Sequence, residues 1–553
     1  MKTSIGKITT LVIALHAGAL LTTSAFASTL YQNVKGYTFD KNERLITFDS
    51  VLIKNGKVAD IGTNLTSSAA EKIDGQGKVM LPGLIDGHAH FMGLGINLLQ
   101  VNVRGIKSAE LTAQKAAQYA QLNPKLQWIT GRGWNQELWD NKQFPTARDL
   151  DKYIDTKPVV LKRVDGHAVW LNTKAMALAG ITSETVSPKG GEIIKDINGE
   201  PTGVLIDNAE NLVWSKMPSQ NASQQSLAFD KANEHLLSLG ITSVHDAGID
   251  HDTYHYFKQQ QAENKIKVRL YAMLGASDPH LETMLNKGVV QDQQDKLFIR
   301  SVKIYGDGAL GSRGAALLEP YQDAPQKKGL LVTQPDKLRT LYNQIFSKGF
   351  QINIHAIGDR ANQIALNEFQ HAYADFPLAP KLRNRIEHAQ VVHIDDIPRF
   401  KELAVLPSMQ PTHATSDKNM AENRIGKKRL KGAYAWQTFL KQGSKVVSGS
   451  DFPVELANPF FGIHAAVTRQ DRDNQPEAGW LSHESLTVEQ ALKSFTLDAA
   501  YGGHQERVLG SLEKGKWADF ILVDQDIMTI DKKDIWKTQV IETWIAGKLM
   551  YSK

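Results

Sequence analysis

The stretch Leu81-Pro82-Gly83-Leu84-Ile85-Asp86-Gly87-His88-Ala89-His90 decides the fold. An apolar run, read as a strand over Val79–Ile85, ends on two histidines spaced i and i+2. Side chains alternate along a strand, so both imidazoles point to one side and can reach a single cation. A His-x-His pair alone is a weak signal, equally compatible with two surface histidines. The apolar run before it and the glycines around it place it where a strand gives way to its loop.

Working outward, the same placement recurs. Ile352-Asn353-Ile354-His355 ends one strand, Arg385-Ile386-Glu387-His388 the next, and Val446-Val447-Ser448-Gly449-Ser450-Asp451 the last. One polar residue at a strand terminus means little; metal-type ligands at several successive termini mean more. Strands are expected at Val79–Ile85, Thr242–His245, Val268–Leu274, Ser301–Tyr305, Gln351–His355, Arg385–Glu387, Val405–Met409 and Lys445–Val447. Helical patterns such as Gln224–Leu239, Asp336–Lys348 and Arg360–Asp375 lie between them. Strand–helix alternation with eight strands predicts an α/β fold, a closed (β/α)8 TIM-type barrel rather than an open doubly wound sheet. Active sites of such barrels lie at the C-terminal ends of the strands, so His88, His90, His355, His388 and Asp451 should share one rim.

The rest of the chain frames this barrel. Thr47–Leu52 and Val58–Ile61 read as strands around Lys54-Asn55-Gly56-Lys57, a hairpin signal. Ala518–Val523 and Val540–Ile545 have the same texture. Residues 28–79 and 510–553 are therefore expected to build one small β-sandwich from both termini, with the barrel spanning 80–509. The gap between the first two barrel strands far exceeds a normal βα loop, which predicts an inserted subdomain over about 106–219. It holds Trp128, Trp134, Trp139, Trp170 and Trp214, five of the ten tryptophans. Most should form its own core; because the insert emerges on the catalytic face, some can line a substrate pocket.

With 553 residues, 42% hydrophobic and 22% charged, the chain can bury a large core. Residues 1–27 read as a signal peptide: Lys2 and Lys7, an apolar Ile8–Leu21, and a small-x-small site at Ala25-Phe26-Ala27. Cleavage before Ser28 would send the protein to the periplasm or outside the cell. No stop-transfer pattern follows, so no stable membrane anchor is expected. There is no cysteine, hence no disulfide framework. The net charge of +5 falls to +3 once Lys2 and Lys7 are removed, too weak and too evenly spread for a nucleic-acid partner. The basic run Lys427, Lys428, Arg429 and Lys431 reads as a solvated face.

Lys303 lies in Ser301-Val302-Lys303-Ile304-Tyr305, an otherwise apolar strand. Either its stem packs along the wall with the ammonium reaching water, or it is carbamylated by carbon dioxide and becomes an anion able to bridge two metals.

The Pro82–His90 run, the later histidines and Asp451 resemble the amidohydrolase superfamily. So does the C-terminal Gly510-Ser511-Leu512-Glu513-Lys514-Gly515-Lys516-Trp517-Ala518-Asp519-Phe520. More narrowly, Asp307-Gly308-Ala309-Leu310-Gly311-Ser312-Arg313, His355-Ala356-Ile357-Gly358-Asp359-Arg360 and Gln410-Pro411-Thr412-His413 resemble its amidohydrolase-3, YtcJ-like branch, which includes N-substituted formamide deformylase. Ala309 stands where serine is frequent.

The resemblance implies metal ligation by His88, His90, His355, His388 and Asp451, with Lys303 as a carbamylated bridge between two divalent cations. Zinc is the usual metal, while iron or manganese could also be held. It favours hydrolysis of an amide-type C–N bond in a small molecule, with Asp451 taking a proton from the attacking water and passing it to the leaving nitrogen. His167 and His413 are candidates for oxyanion stabilisation or substrate binding. Arg313 is a candidate for holding a substrate anion or for ordering its loop, and His245-Asp246 for stabilising the rim. A mononuclear, deaminase-like or esterase-like member of the superfamily and a non-catalytic secreted binding or regulatory protein are the rival classes.

Overall fold

The computed structural model describes residues 28–68, 71–218 and 221–553; the leader expected over residues 1–27 lies outside them. Eight strands form the central sheet: β1 Leu84–Ala89, β2 Ile241–Ile249, β3 Arg269–Gly275, β4 Leu297–Tyr305, β5 Gln351–Ala356, β6 Arg385–His388, β7 Leu406–Met409 and β8 Val447–Ser448. These eight pair in chain order and in parallel, and a two-residue strand, Val290–Gln291, adds antiparallel to β4. Helices return the chain between them, including Ala222–Ser238, Pro335–Ser347 and Asp359–Asp375. In the second of these Leu338, Leu341, Tyr342, Ile345 and Phe346 are buried, the three-and-four spacing of a helix laid on a sheet. Asn221 and Gln224 cap the first with a reciprocal capping box.

The ring nearly closes where β8 returns to β1. Gly87 is required there: a Cβ would lie 2.5 Å from Val447 Cγ1 and 2.7 Å from the Ser448 carbonyl oxygen. Just past the strand ends, Asp451 N–H donates to the His88 carbonyl at 2.7 Å and His90 N–H to the Phe452 carbonyl at 2.8 Å. The buried Asp86 carboxylate fastens the seam, accepting from Ser450 N at 3.0 Å, Ser450 Oγ at 2.6 Å and His88 N at 3.2 Å.

Two expected strands are each divided. Val79–Ile85 breaks at Gly83: Val79–Pro82 pairs with Phe520–Val523 and Lys35–Phe39 in a terminal sheet, and only Leu84–Ala89 enters the barrel. The partners dictate the break, because Gly83 N–H donates to Asp519 and Leu84 N–H to Gly240, on different sheets. Thr47–Leu52 breaks at Asp49 into Leu45–Phe48, which pairs with Lys35–Phe39, and Ser50–Lys54, which pairs with Thr29–Gln32 and Lys57–Gly62. The Asn55-Gly56 turn has φ of 53° and 75°, as a tight hairpin demands.

The strands outside the barrel and the insert make two sheets, one of four strands and one of six. Tyr31, Val51, Met80, Phe520 and Leu522 share one core between them. The six-stranded sheet is tied to the barrel by a buried bidentate ion pair, Arg269 Nε and Nη2 to Asp519 at 2.6 and 3.0 Å.

The insert is a six-stranded sheet running in space from Gly191–Lys195 through Pro201–Asp207, Ala168–Leu171, Val159–Arg163 and Ile129–Trp134 to Val101–Asn102. It begins near residue 101, earlier than the expected 106, because the two-residue strand Val101–Asn102 carries too little pattern to be read alone. Trp134, Trp139 and Trp170 form its core, and Trp128 and Trp214 pack on a second cluster. Arg104 reaches from the insert to the carbonyls of Pro453, at 2.9 Å, and Val454, just beyond Asp451. Among the described residues no helix is long and apolar enough to cross a membrane.

Candidate metal centre

A cavity of about 1000 Å³ opens at the C-terminal ends of the strands, between barrel and insert. His88, His90, Lys303, His355, His388 and Asp451 all line it. Three converge most tightly: His88, His388 and Asp451 each offer a ligand atom within 4.8 Å of the others, all buried. His90 Nε2 lies 3.1 Å and His88 Nε2 3.6 Å from Asp451 Oδ1.

The surroundings aim these groups. His88 Nδ1 is 2.5 Å from Glu387 Oε2, and Glu387 Oε1 is 2.7 Å from Arg385 Nε. His388 Nδ1 is 2.7 Å from Gln410 Oε1. With Nδ1 engaged, each ring presents Nε2 to the cavity, the usual support for a ligating histidine. Burial pulls His88 down to about 4 and His388 well below the ordinary imidazole range, so both are neutral donors. His388 and Asp451 adopt φ of 73° and 60°, a left-handed conformation uncommon for residues other than glycine, held here at the working end of the strands.

Among the described residues no partner makes a well-aligned hydrogen bond to the buried Asp451 Oδ1 or His355 Nε2, although His90 Nε2 and Asp307 Oδ1 stand 3.1 and 3.4 Å away. Such atoms are rare in folded proteins. Orphaned oxygen and nitrogen donors gathered with neutral imidazoles fit a divalent cation.

Lys303 does not send its ammonium out to solvent. The side chain is buried on β4, with Nζ 3.4 Å from His88 Nε2 and 4.7 Å from the centre of the Tyr305 ring. Burial lowers its pKa to about 8.

The insert closes the other side. His167 Nδ1 is 2.7 Å from Asp207 Oδ1, and its ring lies 5.2 Å from that of His355. The glycine-rich loop after β4 admits this pair: a Cβ at Gly308 or Gly314 would sit 2.4 or 2.7 Å from Asp207 Oδ2. Asp307 locks the loops after β4 and β5 together, accepting from the backbone of Ala316, Ile357 and Gly358 at 2.8 to 2.9 Å.

The remaining candidates divide. His413 stacks on His388 at 5.7 Å with Nε2 3.6 Å from Asp451 Oδ2, and it does not line the cavity. Arg313 does not line the cavity, and its guanidinium meets Asp323, with Nη2 at 3.0 Å. His245 is buried inside the barrel, 2.9 Å from Arg385 Nη1, and Asp246 accepts from Phe91 N–H at the rim. The contacts of Glu387 and Asp207, and the places of Tyr305 and Arg132 in the cavity wall, went unread in the sequence. Glu387 carried a signal, a carboxylate and an arginine two apart in a short strand. The others carried none, because their partners are remote in the chain.

Comparison with known proteins agrees with this geometry. The family model described as "Amidohydrolase family" matches residues 71–551. The YtcJ amidohydrolase of Bacillus subtilis (strain 168) is 32% identical over 93% of this chain and 97% of its own length. N-substituted formamide deformylase of Arthrobacter pascens is 24% identical over 91% of this chain and 95% of its own. The crystal structure of an uncharacterized metal-dependent hydrolase from Pyrococcus horikoshii OT3 superposes with a TM-score of 0.74 at 27% identity, covering 92% of this chain and 99% of that one. A near-closed parallel barrel, a buried His/Asp cluster at its rim and a match over almost the whole described chain converge on one assignment: this protein belongs to the amidohydrolase family.

Proposed function

We propose that this hydrolase is a secreted enzyme that cuts an amide-type C–N bond of a small molecule, with Asp451 as the proton shuttle. The observation that carries the reading is the buried Asp451 carboxylate, whose Oδ1 accepts no well-aligned hydrogen bond yet faces His88 and His90 at the cavity floor. The likeness to a formamide deformylase supports the C–N bond, and the leader-like residues 1–27 support export.

His88, His90, His355, His388 and Asp451 would hold two divalent cations, with Lys303 between them as a carbamate; the nitrogen-rich donor set favours zinc. Bound cations would acidify a water and polarise the scissile carbonyl. Lys303 as neutral amine takes up carbon dioxide, forming an N–C bond and releasing one proton. Asp451 accepts a proton from the water as its oxygen attacks the carbonyl carbon. The same carboxylate then delivers that proton to the leaving nitrogen as the C–N bond breaks. Tyr305 lines the cavity, and burial drives its phenol above the ordinary range, so it stays protonated and can only donate to a developing oxyanion.

A mononuclear site is the second reading. It draws on the convergence of only three ligand atoms, from His88, His388 and Asp451, within 4.8 Å.

The test is elemental mass spectrometry on protein purified without chelators, together with chelator-sensitive hydrolysis of an amide panel. About two zinc per chain with chelator-sensitive cleavage is expected. One metal per chain selects the mononuclear reading, and a metal-loaded protein that cleaves no amide overturns the substrate class.

A further inference from the structure

The wall that the insert contributes to the cavity holds a cation that the reaction does not use. Arg132 and Lys162 are register partners on adjacent parallel strands, and both side chains line the cavity. Their neighbours are largely spoken for. Lys162 Nζ lies 3.5 Å from Glu210 Oε2, Asp165 is 2.5 Å from Arg163 Nη1, and Asp207 is engaged by His167. Arg132 has no carboxylate partner among the described residues. Its one hydrogen bond runs from Nη2 to the Val164 carbonyl at 3.1 Å, and Nε is buried with no acceptor.

The chain makes room for this guanidinium. Gly166 takes a φ of 80°, and a Cβ there would stand 2.8 Å from Arg132 Nη2. Burial lowers the Arg132 pKa to about 10, and the Asp451 carboxylate opposes that shift, so the group keeps its charge at neutral pH. Arg132 is a half-buried cation whose Nε is shut from solvent and on which the carboxylates of Asp451, Asp165 and Glu210 act only from a distance, without an ion pair. Retaining such a cation beside the reacting centre is explained if a ligand brings the negative charge.

We propose that Arg132 anchors an anion subsite, and that the substrate is an amide carrying a carboxylate, of the N-acyl amino acid type. The planar guanidinium fork matches a carboxylate. A monoanion suits the place better than a phosphate dianion, because Asp207, Glu210 and Asp246 line the same cavity. The inference rests on the amide-hydrolase reading and names its substrate class.

The experiment uses the metal-loaded full chain and matched pairs of N-formyl and N-acetyl phenylalanine, each as free carboxylate and as carboxamide. Wild-type kcat/KM is expected to favour the carboxylate by on the order of 100-fold. In Arg132→Ala the ratio collapses toward one, and in Arg132→Lys it stays between the two. A wild-type enzyme indifferent to the carboxylate, or an Arg132→Ala variant that keeps the full ratio, overturns the proposal. Calorimetric binding of the same pairs separates the two readings. If nothing is cleaved but the carboxylates bind wild type and not Arg132→Ala, the subsite stands and the amide chemistry falls. Equal binding of both members, or of neither, overturns the subsite.

Discussion

His88 and Glu387 stand 299 residues apart in sequence and meet at 2.5 Å, Nδ1 to Oε2, beneath the metal cluster. Arg385 and the buried His88 hold the Glu387 carboxyl well below its ordinary range against the upward push of burial, so it remains a carboxylate. It sets the tautomer that leaves His88 Nε2 free to ligate. Glu387→Gln is expected to weaken metal affinity by about 10- to 100-fold, as partners behind ligating histidines do. Competition with a fluorescent chelator measures it, and affinity equal to wild type would show that the contact does not orient the ring.

Asp451→Asn keeps the shape of the side chain and removes its capacity to take a proton. Turnover is expected to fall by roughly 100-fold or more while metal stays bound, since general acid–base groups contribute typically 10²–10⁴-fold. Steady-state kinetics with metal analysis on the same sample decide it. Near wild-type rates would remove the shuttle role.

Burial lowers the pKa of Lys303 to about 8. Only the neutral amine combines with carbon dioxide, so uptake should rise as the pH climbs through 8. Metal-depleted protein given zinc should regain activity faster at pH 9 than at pH 7 when bicarbonate is adjusted to hold dissolved carbon dioxide constant. Lys303→Ala should lose at least one metal equivalent, and full retention of two would exclude the bridge.

The Arg269–Asp519 pair is buried and bidentate. Asp519→Ala leaves the guanidinium without a counter-ion, and breaking such a pair costs about 3–5 kcal/mol. Chemical denaturation should show a loss of that order. A loss below about 1 kcal/mol would mean the pair is not desolvated as its burial implies.

The barrel and most of its rim were legible because each signal was local. A buried strand reads as an apolar run, and a histidine or aspartate at its end needs no knowledge of what lies across the barrel. Asp207 and Arg132 were illegible for the opposite reason. They sit on different strands of the insert, and only the fold brings Asp207 against the Gly308 loop or Arg132 against Gly166. The break at Gly83 escaped reading because Val79–Ile85 is apolar on both sides of it; hydrogen-bond partners, not composition, separate the two sheets. Arg313 drew attention through its motif, and Asp323, ten residues on, meets its guanidinium.

A single residue, Gly83, separates the terminal sheet from the strand that carries His88 and leads directly into His90. There is no slack in which a hinge could form. Phe520–Val523 is bonded along the whole length of Val79–Pro82, so the last thirty or so residues act as the footing of the catalytic strand. A tag, truncation or fusion that loosens the C-terminus would be felt as a change in metal occupancy before it was felt as unfolding.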